Sequence, residues 1–577
     1  MLRELVTLTT LAEESPQSFK VRAYENACLA LEADGSDVAS LTMGELTKIK
    51  GVGKATASKI RELVDTGRVE KLVILREKFP PGYVELSRIP GLGPKTLRTV
   101  RDQLGVMDVE GLKAAIAAEQ LRTLPGLGKT SEEKIAKAID RLGMSGKDRR
   151  TPIAEALPLA DRLVADLRSL DIVIEAEFCG SLRRFSETVG DIDITVSSND
   201  PVAVMASVVA HPEAVDLVVN GETKTSFLTS SGLQVDVRVV TPDQFGAATL
   251  YFTGSKAHNI ALRQRAIKQG MLLNEYGLMR TDLVGTDDSR SVVASRTEPE
   301  IYAALGLEYV PAPMREGTGE VERATNNGFV DLIQRSDIKG DLHYHTARSG
   351  DGRSSVEEMV GVAAATGYEY LAITDHGVDL AINGSTADEM MVHREHIAEV
   401  QLAHPDLYLM WGCELNIDGS GGLDYDQDFR ATFDYTVASV HSHFDQSPVD
   451  QTKRLIAAIS DPTVDSIGHL SGRYIGRRPG IEFDVDVVLE ALKHFDVALE
   501  INGALQRLDA ASDVVRKAVD RGVKLVINTD SHHTSELGRM EYGVLTAQRG
   551  WAPRDLVINT WERLRFLEWV GRHRADA

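Results

Sequence analysis

Gly180-Ser-Leu-Arg-Arg184, followed shortly by Gly190-Asp-Ile-Asp193, is the stretch on which the reading of this chain turns. In an extended strand alternate residues share a face, so Asp191 and Asp193 offer two carboxylates to one point. A third, Asp236, lies in a second alternating run, Leu233-Gln-Val-Asp-Val-Arg-Val-Val240. Hard oxygen donors on strands suit Mg²⁺, and two such ions can clamp the attacking and leaving oxygens of an in-line phosphoryl displacement. An Asp-x-Asp alone is more often a solvated strand or turn. The Gly-Ser turn before it changes that, because Ser181, Arg183 and Arg184 could hold a triphosphate and supply the positive field that departing pyrophosphate requires.

Toward the N-terminus one short pattern recurs: Ile49-Lys-Gly-Val-Gly53, Ile89-Pro-Gly-Leu-Gly93 and Leu124-Pro-Gly-Leu-Gly128, each followed by a helical run with Lys or Arg. The paired glycines (Gly51 and Gly53, Gly91 and Gly93, Gly126 and Gly128) permit a tight turn, so that the N–H groups opening the second helix can face a phosphate. One copy would be read equally well as a plain helix-joining turn. Three copies flanked by Lys48, Lys50, Lys54, Lys95, Arg98, Lys129 and Lys134 predict helix-hairpin-helix units that grip the DNA backbone without regard to sequence.

Beyond the strand-rich middle, Val310-Pro-Ala-Pro-Met-Arg-Glu-Gly-Thr-Gly319 and its continuation are Pro/Gly-rich and read as a linker. Short apolar strands then alternate with amphipathic helices, the rhythm of a parallel βα barrel. Metal-ligand residue types fall where those strands end: His343 and His345 in Asp341-Leu-His-Tyr-His345, His376 after Tyr370-Leu-Ala-Ile-Thr-Asp, Glu414 after Leu409-Met-Trp-Gly-Cys, and His441 after Tyr435-Thr-Val-Ala-Ser-Val. His469 follows Val464-Asp-Ser-Ile-Gly, and Asp530 and His532 close Lys524-Leu-Val-Ile-Asn-Thr-Asp-Ser-His532. In such a barrel all these ends open on one face. A lone His is usually packed or on the surface, but this many at one kind of position predict a metal centre, with imidazoles favouring Zn²⁺, Mn²⁺ or Fe²⁺. His393, His396, His443 and His533 lie off the pattern and read as surface or substrate-side residues.

The bulk numbers set limits. The 577 residues exceed one hydrophobic core, and about three or four domains are expected. With 43% apolar and 26% charged residues the chain is ordinary for a globular protein. Cys28, Cys179 and Cys413 are too scattered for a disulfide framework or thiolate site, so a reducing cytoplasm is expected. No stretch reaches the roughly 18 to 20 apolar residues of a membrane span, and no export signal is expected. A net charge of −22 argues against a nucleic-acid partner unless basic residues are concentrated locally and acids serve metals or solvated faces.

Gly180-Ser-Leu-Arg-Arg184, Gly190-Asp-Ile-Asp193, Asp236, Tyr251-Phe-Thr-Gly-Ser255 and Asn274-Glu-Tyr276 together resemble the nucleotidyltransferase palm of DNA polymerase family X, over roughly residues 1 to 320. The resemblance implies that Asp191 and Asp193 bridge both metals and that Asp236 binds the catalytic one near the primer 3′-hydroxyl. Gly180, Ser181, Arg184 and Arg150 would serve the incoming triphosphate. Tyr251 and Phe252 would pack against the nucleotide sugar, Gly254 would belong to the nucleotide-binding set, Asn259 would bond the base, and Arg263 would approach the template. Two residues depart from the family pattern: Gln234, where animal members often carry Arg, and Phe185, where a small residue is usual. Phe19-Lys-Val-Arg-Ala-Tyr24 and the first hairpin resemble the family's small lyase domain, with Lys59 at the place of its Schiff-base lysine. A helix lysine facing DNA is more often a phosphate contact.

The order His343, His345, Asp351, His376, Glu414, His441, His469, Asp530, His532 resembles the polymerase and histidinol phosphatase (PHP) family, over about residues 337 to 577. That implies a distorted (βα)7 barrel with up to three metal ions, Glu414 bridging, that hydrolyses phosphoesters. The expected architecture is therefore multidomain α/β. It comprises a lyase-like helical DNA-binding region (1–85), a fingers-like helix-hairpin-helix region (86–150), an α+β palm and thumb (151–315), a linker (316–336) and the PHP domain (337–577). The expected function is DNA-directed DNA synthesis filling short gaps in base excision repair, with 3′→5′ exonuclease activity and apurinic-site endonuclease or 3′-phosphatase activity as further options. Expected partners are gapped or nicked duplex DNA and deoxynucleoside triphosphates, with Mg²⁺ in the palm, a monomeric chain and no membrane. The alternatives are a DNA-processing phosphoesterase with weak synthesis, a non-catalytic repair scaffold, and a small-molecule phosphatase, which leaves the hairpins unexplained.

Overall fold

The computed structural model describes residues 1–15, 18–34, 38, 41–49, 51–87, 89, 92–142, 150–283, 291–326, 328–380 and 384–571. The chain divides into two compact units. One holds Met1–Arg149 with Pro212–Leu217 and Phe227–Gln234, and the other holds Arg150–His211, Val218–Ser226 and Val235–Ala577.

The first unit is built mainly of short amphipathic helices. Pro94–Leu104 shows why they form: Pro94 pre-sets the first turn, Leu97 and Val100 fall on one buried face, and Gly105 at φ 68° ends the helix. Asp108 then caps Val109–Ala117, its carboxylate accepting from Gly111 N at 2.8 Å. The buried faces meet in two apolar clusters, one including Leu5, Leu72, Leu97, Leu112, Leu121 and Ile135 and a smaller one of Ala27, Leu46, Val52, Ala57 and Ile60.

The palm strands are β1 (Glu175–Phe178), β2 (Asp191–Ser197), β3 (Asp216–Asn220), β4 (Lys224–Leu228) and β5 (Gln234–Val240), ordered β1-β2-β5-β4-β3. Ile192, Ile194 and Val196 of β2 and Val235, Val237 and Val239 of β5 are buried. That alternation fixes the register and turns Asp191, Asp193 and Asp236 to the opposite face.

Seven parallel strands follow in consecutive order: β6 (Gly340–Asp341), β7 (Tyr370–Ile373), β8 (Tyr408–Asn416), β9 (Tyr435–Ser439), β10 (Ser466–Gly468), β11 (Ala498–Asn502) and β12 (Leu525–Asn528). A parallel bridge from Tyr344 to Ser531 brings the two ends of the row together in a nearly closed barrel. The strands are buried along nearly their whole length, as expected when both faces of a parallel sheet are covered. Tyr370, Tyr435 and Ala498, the first residues of their strands, pack with Phe566 and Trp569 of the helix Arg563–Gly571. That helix plugs the N-terminal mouth and leaves the other mouth to the functional side chains. β6 itself is only two residues long, so His343 and His345 lie just beyond the strand predicted to carry them, although their alternation is kept.

Residues 316–336, expected to be a linker, are packed. Val321, Ala324, Phe329 and Leu332 are buried with Leu262, Tyr302 and Trp551, and the buried Glu320 carboxylate meets His258 Nδ1 at 2.7 Å. The Pro/Gly content dominates the sequence reading there, but its interleaved apolar residues bury themselves. No helix of the described residues is long and apolar enough to cross a membrane.

Two candidate metal centres

The first centre lies on the palm. Gly180 opens the short helix Gly180–Arg183 at φ 65°, and a Cβ there would sit 2.5 Å from Asp193 Oδ2. Only glycine lets the turn lie this close to the carboxylate. Cys179 N donates to Asp193 O at 2.7 Å, tying turn and strand together. Burial, then the Asp191 and Asp236 charges, push the Asp193 carboxyl up to about 7. Burial and Asp236 raise Asp191 as well. Carboxylates that destabilise one another in this way favour a nearby cation, and an all-oxygen donor set fits Mg²⁺. Lys224 of β4, which the sequence reading missed, places Nζ 3.1 Å from Asp236 Oδ2, so a neighbouring strand supplies a cation near the position where Gln234 departs from the family pattern.

The paired arginines divide their work. Arg183 bonds Thr253 Oγ1 at 2.8 Å and both oxygens of the buried Glu298 at 2.8 and 3.0 Å, so it braces the turn and is not available to a triphosphate. Arg184 donates to Thr253 O at 2.6 Å and to Glu316 Oε1 at 3.0 Å. Arg549 Nη1 of the barrel reaches the same Glu316 oxygen at 2.7 Å. Ser181 is half-buried in the turn, and Arg150 Nε donates to Thr188 Oγ1 at 3.1 Å. Tyr251 and Phe252 are half-buried, edge to face at 5.1 Å, with Arg263 over the first ring and Arg238 over the second. Asn259 Nδ2 donates to Tyr251 O at 2.8 Å, and Gly254 lies beside the Arg184 guanidinium.

In the first unit Gly53 and Gly93 precede the helices Lys54–Thr66 and Pro94–Leu104 with no side-chain cap, so the opening N–H groups are not covered from within. Gly51 and Gly126 take positive φ, as tight turns require, and Gly128 is exposed beside Lys129. Gly91, Lys50 and the Lys134 side chain lie outside the described residues. Lys59 is half-exposed, its Nζ donating to Ala55 O at 3.2 Å.

The second centre opens at the C-terminal ends of the barrel strands, and every residue expected there converges. Glu414 Oε1 lies 2.9 Å from His469 Nε2 and 3.2 Å from His441 Nε2, while Oε2 lies 2.9 Å from His376 Nδ1 and 3.4 Å from His345 Nε2. Asp530 Oδ1 stands 3.5 Å from His345 and 3.8 Å from His343, and Asp351 Oδ2 lies 3.4 Å from His376 and 3.3 Å from His532. Three ligand triads result: His345, His376 and His532; His343, His345 and Asp530; and His376, Glu414 and His441. His343 Nε2 and His345 Nε2 face each other at 3.3 Å, an arrangement a shared cation satisfies better than protons do. Burial opposes ionisation of Glu414, but His441, His343 and His376 outweigh it and hold the carboxyl well below its usual range. Burial lowers His376, yet Glu414 and Asp351 carry it up to about 10; at His441 burial wins and takes it down to about 4. Nitrogen and carboxylate donors at this density fit up to three transition-metal ions.

Residues behind the ligands were missed. Glu500 accepts at Oε2 from His343 Nδ1 at 2.7 Å and at Oε1 from His469 N at 3.0 Å. Its signal was present: a carboxylate inside the apolar run Val497-Ala-Leu-Glu-Ile501. His393, expected at the surface or on the substrate side, is buried with Nε2 2.8 Å from Asp375 Oδ2, and Asp375 in turn accepts from Ser349 Oγ and Thr346 N. Such partners fix the orientation of ligands. His443 is exposed, and His396 and His533 are half-buried. The mouth is a cavity of about 480 Å³ lined by Arg353, Arg478, Arg507 and Arg539 beside the ligands.

Two candidate cation centres on one chain, one all-carboxylate and one rich in imidazole, are the arrangement expected of a two-site enzyme of phosphoryl chemistry. Residues 150–259 match the DNA polymerase beta palm and 248–316 its thumb, 1–69 a helix-hairpin-helix domain, 83–141 a SAM-like helix-hairpin-helix tandem, and 341–504 the PHP domain. The chain is 37% identical, over 97% of its length and 96% of the relative's, to the DNA polymerase/3′-5′ exonuclease PolX of Bacillus subtilis. A probable phosphatase of Acetivibrio thermocellus is 29% identical over 40% of this chain and 95% of its own length, and one of Caldicellulosiruptor bescii 28% over 41% and 98%. This chain belongs to DNA polymerase family X, in the form that carries a C-terminal PHP domain.

Proposed function

We propose that this chain fills short gaps in base excision repair as a DNA-directed DNA polymerase and removes nucleotides 3′→5′ at its PHP centre. The observation that carries the reading is that both donor sets are complete on one polypeptide, Asp191, Asp193 and Asp236 on the palm and nine ligand residues at the barrel mouth. When bound, the metal ions would supply Lewis acidity and charge neutralisation at the phosphoryl group. The chain's own residues do the rest. Gly180 lets the turn approach Asp193, Arg184 offers its charge to a triphosphate, Tyr251 and Phe252 present a partly open edge for the sugar, and Arg507 brings a guanidinium beside Asp530.

Mg²⁺ belongs in the palm and Mn²⁺, Zn²⁺ or Fe²⁺ in the barrel. The hairpins bind duplex DNA through its backbone; the chain works as a monomer in the cytoplasm. Lys59 lies where a Schiff-base lysine would act on a sugar-phosphate end, and apurinic-site or 3′-phosphate cleavage falls within the chemistry of the barrel centre.

The test is a gapped duplex incubated with Mg²⁺ or Mn²⁺, with and without nucleotides. Asp193→Ala should lose synthesis and keep degradation, and His343→Ala should do the reverse. Unchanged extension by Asp236→Ala would remove the palm assignment.

A further inference from the structure

The turn Arg473–Gly480 follows the ligand His469 and reaches the palm. Arg473 places its guanidinium 2.7 and 3.1 Å from the two oxygens of Glu187, and a Cβ on Gly476 would sit 2.8 Å from Pro152 Cγ. Reciprocal bonds at 2.9 Å between the backbones of Tyr474 and Arg478 close the turn. Two cavities flank it. One, of about 480 Å³, contains the ligands His376, His441 and Asp530; the other, of about 520 Å³, includes Glu187 and Arg477; Tyr474 and Arg478 line both.

Arginines predominate along the turn itself, while Asp351, Glu414 and Asp530 of the ligand cavity are gathered among the candidate metal ligands. Three arginines line the palm-facing cavity, and Glu187, the acid lining it, is already bonded to Arg473. Arg477 is exposed. Arg478 and Arg507 lie over the Tyr474 ring at 4.8 and 4.5 Å; the Arg507 Nε stands 3.5 Å from Asp530 Oδ2, and its buried Nη1 has no hydrogen-bond partner among the described residues. Guanidinium groups held this close repel one another, an arrangement stabilised by a polyanion. A single strand presents one phosphate per nucleotide and is bound elsewhere by cationic grooves that follow its backbone.

We infer that the Arg473–Gly480 turn carries the unpaired 3′ end of a DNA strand from the palm to the imidazole-rich centre, its phosphates held by Arg477, Arg478 and Arg507. This rests on the two-site reading above and adds a path between the sites.

The test measures 3′→5′ degradation of a single-stranded oligonucleotide by the full-length protein in Mn²⁺, beside hydrolysis of bis(p-nitrophenyl) phosphate, which needs no track. Arg477→Glu should raise the oligonucleotide KM about tenfold with kcat within about twofold. Arg477→Lys should recover most of the loss, and hydrolysis of the small diester should be equal in all three proteins. The slope of log affinity against log salt should become shallower by about 0.7 for the phosphate contact removed. An unchanged KM in Arg477→Glu, or an equal loss on the small diester, overturns the track and leaves the two-site reading standing. A parent that hydrolyses the diester but degrades no single strand overturns that reading, and the track with it.

Discussion

Arg473 and Glu187 form a two-pronged ion pair at 2.7 and 3.1 Å, joining the loop after a barrel ligand to the loop that follows Arg184 in the palm. Arg473 Nε also donates to Arg507 O at 2.9 Å, so one side chain ties Glu187 of the palm to a residue lining the barrel mouth. Removing either partner should loosen the loop before Thr188 and raise the nucleotide KM of synthesis about threefold to tenfold. Because the pair is partly exposed, a double-mutant cycle of Arg473→Ala and Glu187→Ala should return a coupling of about 1 kcal/mol. Strictly additive effects would mean that the pair does not hold the loop.

Glu500 touches metal ligands and is itself fully buried. Glu500→Gln keeps the shape but removes the charge that orients His343. Affinity of the barrel centre for Mn²⁺ or Zn²⁺ should fall about 10- to 100-fold, read by competition with a chelating dye. Synthesis should be unaltered.

Asp193 is an acid raised to about 7 by burial and by its two carboxylate neighbours, so a fraction of it carries a proton at neutral pH. A metal ion must displace that proton. Binding of Mg²⁺ to the palm should release up to about one proton per site near pH 7 and weaken as pH falls below it. Calorimetry in buffers of different ionisation enthalpy measures this directly, and a binding constant flat from pH 6 to 8 would refute it.

Glu298 stands between Arg183 and Arg315 with almost no exposure. Burial alone would raise its carboxyl, but the two guanidinium groups hold it down at about 2. A depressed carboxyl stabilises the fold at pH values above its unfolded value, and the gain is lost as pH falls from about 4.5 toward 2. Glu298→Ala would leave two cations buried without their partner and should cost about 3 to 5 kcal/mol, seen as a large drop in melting temperature. A variant melting within a degree or two of the parent would contradict this.

Much of both sites was legible because it is local. Asp191 and Asp193 share a face through the two-residue repeat of a strand, and the barrel ligands end strands whose apolar runs are plain in the sequence. Arg183 and Arg184 are chemically alike and adjacent, and nothing local tells which one faces a nucleotide. Their partners come from far along the chain: Arg183 pairs with the buried Glu298, 115 residues away, and Arg184 with the partly exposed Glu316, 132 residues away. His393 reads in the sequence as a surface or substrate-side residue, and only the fold brings Asp375 against it.

The sequence by itself determined which segments become strands and hairpins and which residue types gather at their ends, because hydrophobic periodicity and glycine turns act over a few residues. Only the tertiary structure decided which charges are spent on holding the fold and which are left for chemistry. Glu298 with Arg183, Glu500 with His343, and Glu187 with Arg473 are pairings between distant segments, and an ionic contact exists only once packing has brought its two halves within a few ångströms.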